Sequence, residues 1–226
     1  MSHSPITSND PAARRESLLM PICFSSEVPF TLDRALSLPR QEISRPWLHL
    51  QPQEDGLESL SSPIRWSLAH DSKALWFCAS IPGSPIYDTC LKGGEFVEGL
   101  WESDVAEFFL RDGHTGAYQE FNVSPAGAWW TCYFSAYRQR AAVNHRPETI
   151  CTHASTDRSS WQVAFAVRTD ELSVALDRNT QLHVAFIRAL PTDSSKQEFF
   201  SSRPLPGIEP DFHCAEVFAP IQFEAL

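Results

Sequence analysis

In YQEFNV, residues 118–123, a phenol, a carboxylate and a carboxamide recur at every second position as Tyr118, Glu120 and Asn122, alternating with Gln119, Phe121 and Val123. Successive side chains of a strand point to opposite faces, so this spacing sets a row of hydrogen-bonding groups on one face and a mostly apolar row on the other. The run VAEFFL just before it carries a single carboxylate, Glu107, between Val105 and Phe109. Burial makes that group costly unless it meets a donor or a ligand. An ion pair with Arg138 or Arg188 would be the plain structural account of it. After an SPAG turn the chain returns with Trp129 and Trp130 on opposite faces, so one tryptophan enters the core and the other faces a groove or solvent. Trp101, at a loop-to-strand junction after Gly99 and Leu100, is a further candidate for exposure. Together these groups suit reversible recognition of a polar ligand.

Covalent chemistry finds less support. Asp211 and His213 lie beside Cys214, with Cys132 or Ser124 as conceivable nucleophiles, but no G-x-S-x-G elbow or comparable local signature accompanies them. An Asp-Phe-His triplet more simply forms a strand-end turn in which the aspartate accepts backbone N–H groups. No catalytic residue is assigned, and a hydrolase-like use of Asp211 and His213 stays as an alternative. No two histidines stand at a metal-ligand spacing, so no metal site is assigned, while a calcium held by backbone carbonyls would leave no trace in a sequence. No cofactor is expected. Haem binding is the other alternative; the only methionines, Met1 and Met20, precede the strand-rich region, which leaves His70, His183 and His213 for bis-histidine ligation.

The elements that must position these side chains are short and β-like. From Ile64 onward the runs IRWSLAHD, ALWFCASI, DVAEFFLRD, AYQEFNVSP, AWWTCYFSAYR, WQVAFAVR and LHVAFIRAL are separated by Gly, Pro, Asp and Ser clusters. That rhythm predicts an all-β fold, an antiparallel β-sandwich of jelly-roll or immunoglobulin-like type, with at most one short helix near residues 169–176. A sandwich of this kind fits within the 226 residues as one domain spanning 17–226, after a polar, aperiodic segment 1–16 expected to be disordered. Arg14 and Arg15 precede an apolar run as in an export signal, but Leu18–Phe24 is short and broken by Pro21, so it is read as the lead-in to the first strand.

Charge and cysteine usage narrow the partners. With 18 Lys and Arg against 28 Asp and Glu the net charge is −10, which repels nucleic acid and anionic lipid alike. No apolar stretch approaches the roughly 20 residues that cross a bilayer. The six cysteines form no C-x-x-C pair and sit largely in apolar strand patterns, which favours reduced, buried thiols and a cytoplasmic location. Asn122-Val-Ser124 would be a glycosylation sequon only in a secreted chain.

Three segments in order, GLWESDVAEFFL, AYQEFNVSPAGAWWTCYFSAYR and PGIEPDFHCAEVF, resemble the DOMON-like family related to the family 9 carbohydrate-binding modules. The matching positions are Gly99, Leu100, Trp101 and Glu107; Tyr118, Glu120, Asn122, Ser124, Pro125, Gly127 and Trp129; Tyr137 and Arg138; and Pro210 to His213, within residues 96–218. The resemblance implies a sandwich with a ligand groove and a non-catalytic module whose partner is a saccharide or other small polar ligand, with a protein partner as the remaining option. It implies contacts from Trp101, Glu107, Glu120, Asn122, Trp129, Arg138, Asp211 and His213. Where the related modules place the second tryptophan of a sugar clamp, this chain has Phe212 and His213. A pyranose offers C–H faces for aromatic stacking and hydroxyls for carboxylate, amide and guanidinium groups, so these residue types suit it.

Overall fold

The computed structural model describes residues 20–44, 62–191 and 193–226, so the expected disordered stretch 1–16 lies outside the described residues. Strands are numbered in chain order across two seven-stranded sheets packed face to face. The first holds β1 (Ile22–Ser25), β2 (Gln41–Ile43), β3 (Ile64–His70), β4 (Ala74–Pro82), β9 (Ile150–Thr156), β10 (Ser160–Arg168) and β14 (Gln222–Ala225). The second holds β5 (Val105–Asp112), β6 (Tyr118–Val123), β7 (Trp129–Ala136), β8 (Gln139–Arg140), β11 (Thr180–Leu190), β12 (Asp193–Ser201) and β13 (Ala219–Pro220). The strand order is β14-β1-β3-β4-β10-β9 in the first sheet, with β2 added to β3, and β12-β11-β5-β6-β7-β8 in the second, with β13 added to β11. Pairing is antiparallel except at β1, which runs parallel to both β3 and β14. The fold is the expected all-β sandwich. All seven apolar runs form strands. β9 and β12, whose sequences ICTHAST and DSSKQEFFS lack a sustained apolar alternation, were not anticipated.

The space between the sheets is filled by aromatic side chains that alternation sends inward. Phe108 stacks on Phe77 and on Phe121, each pair with ring centroids 4.7 Å apart, and Phe165, Phe186, Trp129 and Trp161 complete the layer. Each such phenyl group removed from water contributes about 1.5–3 kcal/mol, and together they decide the sheet-on-sheet packing. The expectation of buried thiols holds for Cys23, Cys78 and Cys132, whereas Cys90 and Cys151 are exposed and Cys214 is half-buried; all six are free.

The short helix is elsewhere than expected. Residues 169–171 make a single 3-10 turn, whereas the α-helix among the described residues is α1 (Leu32–Leu36). Thr31 Oγ1 accepts the Arg34 N–H at its start, and Pro39 lies just beyond its end. Its Ala35, with Phe30 and Leu38, covers the outer face of the first sheet at Ala69, Cys78 and Ala164. No helix among the described residues is long and apolar enough to cross a membrane.

The second sheet is buried on both faces. Its outer side is roofed by the 3-10 turn Leu100–Glu102 and by the C-terminal segment that carries Leu205, Phe212, Val217 and Phe218. This roof turns the polar row of β6, which would otherwise meet water, into the floor of a cavity.

Candidate functional site

Hairpin geometry fixes which side chains share that floor. Gly127, at φ 80°, lets the backbone turn back so that Ser124 N–H reaches the Ala128 carbonyl at 2.8 Å, and Ser124 Oγ accepts the Ala128 N–H at 3.1 Å. Closing 124 against 128 pairs Asn122 with Trp130, Glu120 with Cys132 and Tyr118 with Phe134. Across the other edge of β6, Asn122 faces Glu107, and Glu107 in turn faces Ala185 of β11. One row therefore reads Ala185, Glu107, Asn122, Trp130 over four strands. The next carries His183, Phe109, Glu120 and Cys132.

A concavity of about 360 Å³ opens over these rows, walled by Trp101 and Trp130, floored by Glu107 and Glu120, and bordered by Arg138 and His213. Arg140, Phe134, Ile187, Phe199, Pro210 and Phe212 complete it. The two indoles meet edge to face, with centroids 5.2 Å apart and planes at 67°. Trp101 is held by the 3-10 turn after Gly99 and by its carbonyl, which accepts Gln197 Nε2 at 2.8 Å. Arg140 lies over the Trp130 ring at 5.3 Å and pairs with Glu98.

The two floor carboxylates have little to satisfy them. Glu107, 3% exposed, makes no hydrogen bond or ion pair among the described residues; Arg188 pairs with Glu198 instead, and Arg138 with Asp211. Burial, and then the charge of Glu120, push its carboxyl well above the usual range. Glu120, 5% exposed, accepts Asn122 Nδ2 at 3.0 Å. Burial raises it to about 7, although the Asn122 hydrogen bond and the charges of Arg138 and Arg140 act in the other direction. Asn122 is fully buried, and its Oδ1 has no partner among the described residues.

His213 Nε2 approaches Glu120 to 3.8 Å, too long for a hydrogen bond. Burial, then the Arg138 charge, against the opposing Asp211 carboxylate, lower the imidazole to about 4, so the contact is not an ion pair at neutral pH. Its Nδ1 is 2.8 Å from the Tyr118 hydroxyl, which accepts the Arg138 N–H at 3.0 Å. The Tyr118 hydrogen is then free for Nδ1, an arrangement that leaves Nε2 as a donor facing the cavity.

Of the residues expected at the site, the structure brings Trp101, Glu107, Glu120, Arg138 and His213 to the concavity. Asn122 lies beneath it, holding Glu120. Asp211 stands outside as a bracket: its carboxylate accepts Tyr137 OH at 2.6 Å, Arg138 Nη2 at 2.9 Å and the His213 N–H at 3.0 Å, the turn expected of Asp-Phe-His. Arg138 takes a left-handed φ of 51° in the turn between β7 and β8, a conformation that costs a non-glycine residue energy and is held here by these contacts.

Trp129 is a correction. Its indole is 3% exposed between the sheets and donates Nε1–H to the Gly94 carbonyl at 3.1 Å, because Trp129 pairs with the inward-facing Val123. Trp130 takes the groove position, and it supplies a second indole where Phe212 and His213 only extend the wall. The parity of a three-residue loop, 125–127, is the sequence signal for this. The remaining histidines are distributed: His70 lies in β3 of the first sheet, edge-on to Phe223, while His183 engages the Phe212 carbonyl through Nδ1 at 3.1 Å and Ser201 Oγ through Nε2 at 2.8 Å.

No protein-family model and no curated protein matches the chain. Solved structures do resemble it. A candidate carbohydrate-binding protein from Bacteroides uniformis superposes with a TM-score of 0.66 at 16% identity, covering 91% of this chain and 99% of that one. A family 9 carbohydrate-binding module from Caldicellulosiruptor kristjanssonii in complex with glucose gives 0.58 at 11% identity, covering 91% and 96%. The same kind of module in complex with cellotriose gives 0.53 at 11%, covering 90% and 94%. At these identities the likeness establishes the fold.

Proposed function

We propose that the concavity binds the end of a saccharide without transforming it, and that the chain is a DOMON-like relative of the family 9 modules acting in the cytoplasm. The observation that carries this reading is the juxtaposition of two indoles, Trp101 and Trp130, with buried carboxylates and an imidazole N–H in one cavity of about 360 Å³. Aromatic faces suit the C–H faces of a sugar ring, and acceptors beside donors suit its hydroxyls. Two structural neighbours hold glucose and cellotriose, which favours the same ligand class here. His213 is engaged by a phenol rather than by a nucleophile, which favours recognition over hydrolysis. Six free cysteines suit a reducing compartment.

The test is a thermal-shift and calorimetric series with glucose, cello-oligosaccharides and other neutral sugars. A ligand bound only by the native state at 100 times its Kd adds about 2.7 kcal/mol of stability. A shift with at least one sugar that disappears in Trp101→Ala is expected; a flat response to every saccharide, while haem gives a shift and a Soret band, would move the assignment to haem.

A further inference from the structure

The floor of the concavity is unusual in its charge pattern. Arg138 and Arg140, the two cations that border it, already face carboxylates outside it, Asp211 and Glu98. Among the described residues no such cation serves Glu107, although it is almost wholly buried and lines the cavity. Among the described residues Glu120 has only a neutral amide at hydrogen-bonding distance of its carboxyl. The Asn122 carbonyl beneath them is one more acceptor without a donor among the described residues, while His213 supplies one N–H from the rim. Even with a carboxyl proton counted on Glu107, acceptors outnumber donors, and they face one another from adjacent strands.

We infer that this floor receives a positively charged amino group, so that the preferred saccharide carries a free amine as glucosamine units do. This rests on the saccharide reading above and narrows its ligand. An ammonium brings three donors and one positive charge, which meets the deficit that a hydroxyl, donor and acceptor at once, meets only in part. The indoles of Trp101 and Trp130 add aromatic surface that attracts cations; Trp130 already carries the Arg140 guanidinium over its ring.

Proton accounting follows from the same geometry. The charged or titratable groups around the cavity are Glu107 on β5, Tyr118 and Glu120 on β6, Cys132 on β7, Arg138 in the β7–β8 turn and Arg140 on β8, His213 on the C-terminal segment, and Asp211 and Glu98 behind the two arginines. Without a cation, burial and the charge of Glu120 favour the protonated form of Glu107, and Glu120 titrates near 7. An entering ammonium keeps its own protons and favours ionised carboxylates, so binding releases protons to solvent from the acids. Affinity for the amine therefore rises with pH as long as the amine stays protonated. A neutral sugar brings no charge to favour ionisation, so it leaves the protonation of the acids as it was and releases none.

The measurement is calorimetry on the full chain with three trimers: deacetylated glucosamine, its N-acetylated counterpart and cellotriose, in buffers of different ionisation enthalpy. The expected result is a preference of about tenfold or more for the amine over both neutral trimers, with proton release seen only for the amine. In Glu107→Gln that ratio falls towards one; Glu120→Gln gives the same test from the neighbouring strand if the first variant does not fold. Equal or tighter binding of the neutral trimers, or amine binding with no proton release, overturns this inference and leaves the saccharide reading standing. Silence from all three trimers overturns this inference, and silence from the wider saccharide series as well overturns both.

Discussion

The two faces of the second sheet come from the same strands, one residue out of step, and they behave as different materials. Inward, Phe108, Phe121 and Trp129 meet the first sheet, and the polar groups on that face are paired: Trp129 Nε1–H reaches the Gly94 carbonyl, Gln119 Nε2 donates to Thr131 Oγ1, and Thr131 Oγ1 donates to the Glu120 carbonyl. Outward, Glu107, Glu120, Asn122 and Trp130 are nearly as buried, yet they hold two carboxylates and an unpaired amide oxygen. Equal burial thus has opposite energetic meaning. The inner face supplies stability, and the outer face gives some of it up to line a cavity with under-paired polar groups.

The largest effects should fall on the inner face. Phe108→Ala and Trp129→Ala should each cost about 3–5 kcal/mol in urea unfolding, through lost burial and the cavity left behind. The contrast between the faces breaks if Trp130→Ala costs as much as Trp129→Ala while saccharide affinity stays intact.

Next comes binding. Trp101→Ala should weaken the best saccharide about 30-fold, roughly 2 kcal/mol, with stability changed by less than about 1 kcal/mol. Calorimetry beside a melting curve separates the two quantities, and a large loss of Tm without loss of affinity would make Trp101 a structural residue.

The pH dependence of stability sharpens the comparison further. The folded-state value of Glu120 is raised to about 7 from an ordinary 4.5, so the folded protein binds more protons than the unfolded chain between those values. Its contribution is fully present below about 4.5 and is lost as pH rises through about 7. His213, lowered to about 4 from 6.5, works in the opposite sense across the lower part of that window, as does His183, lowered to about 3 chiefly by burial. The carboxylate share is therefore read as a difference: relative to wild type, Glu120→Gln should gain stability by up to about 1 kcal/mol per pH unit from roughly pH 5 to 7. Parallel profiles for the two proteins would count against a strained floor.

The smallest effect should be at the bracket. Asp211→Asn, which weakens a partly exposed pair with Arg138, should cost about 1 kcal/mol or less in stability, while loosening the Tyr137 and His213 contacts enough to lower saccharide affinity. Loss of several kcal/mol would mean that the bracket holds the roof itself.

Much of this is legible in the sequence. Seven strand runs, the inward phenylalanines and the polar row Tyr118, Glu120, Asn122 follow from alternation alone, because side-chain period two is a property of the extended backbone. The backbone role of Asp211 also followed from local geometry, since a carboxylate two residues before an N–H closes such a turn. β9 and β12 escaped because their residues are not apolar enough to announce a strand, and they are recruited by pairing with β10 and β11. The choice between Trp129 and Trp130 needed the hairpin register, a single-residue matter that moves every side chain to the other face.

The sequence by itself determined the sandwich, its aromatic interior and the residue types available for recognition. Tertiary structure alone decided that the polar face is roofed rather than wet, since the 3-10 turn at Trp101 and the segment around Phe212 reach it from about a hundred positions apart in the chain. It alone decided that Arg138 and Arg188 pair elsewhere, leaving Glu107 buried without a cation among the described residues. Local patterns report on neighbours along the backbone; which charges meet, and which are left to face a cavity, depends on contacts between distant segments that no local pattern encodes.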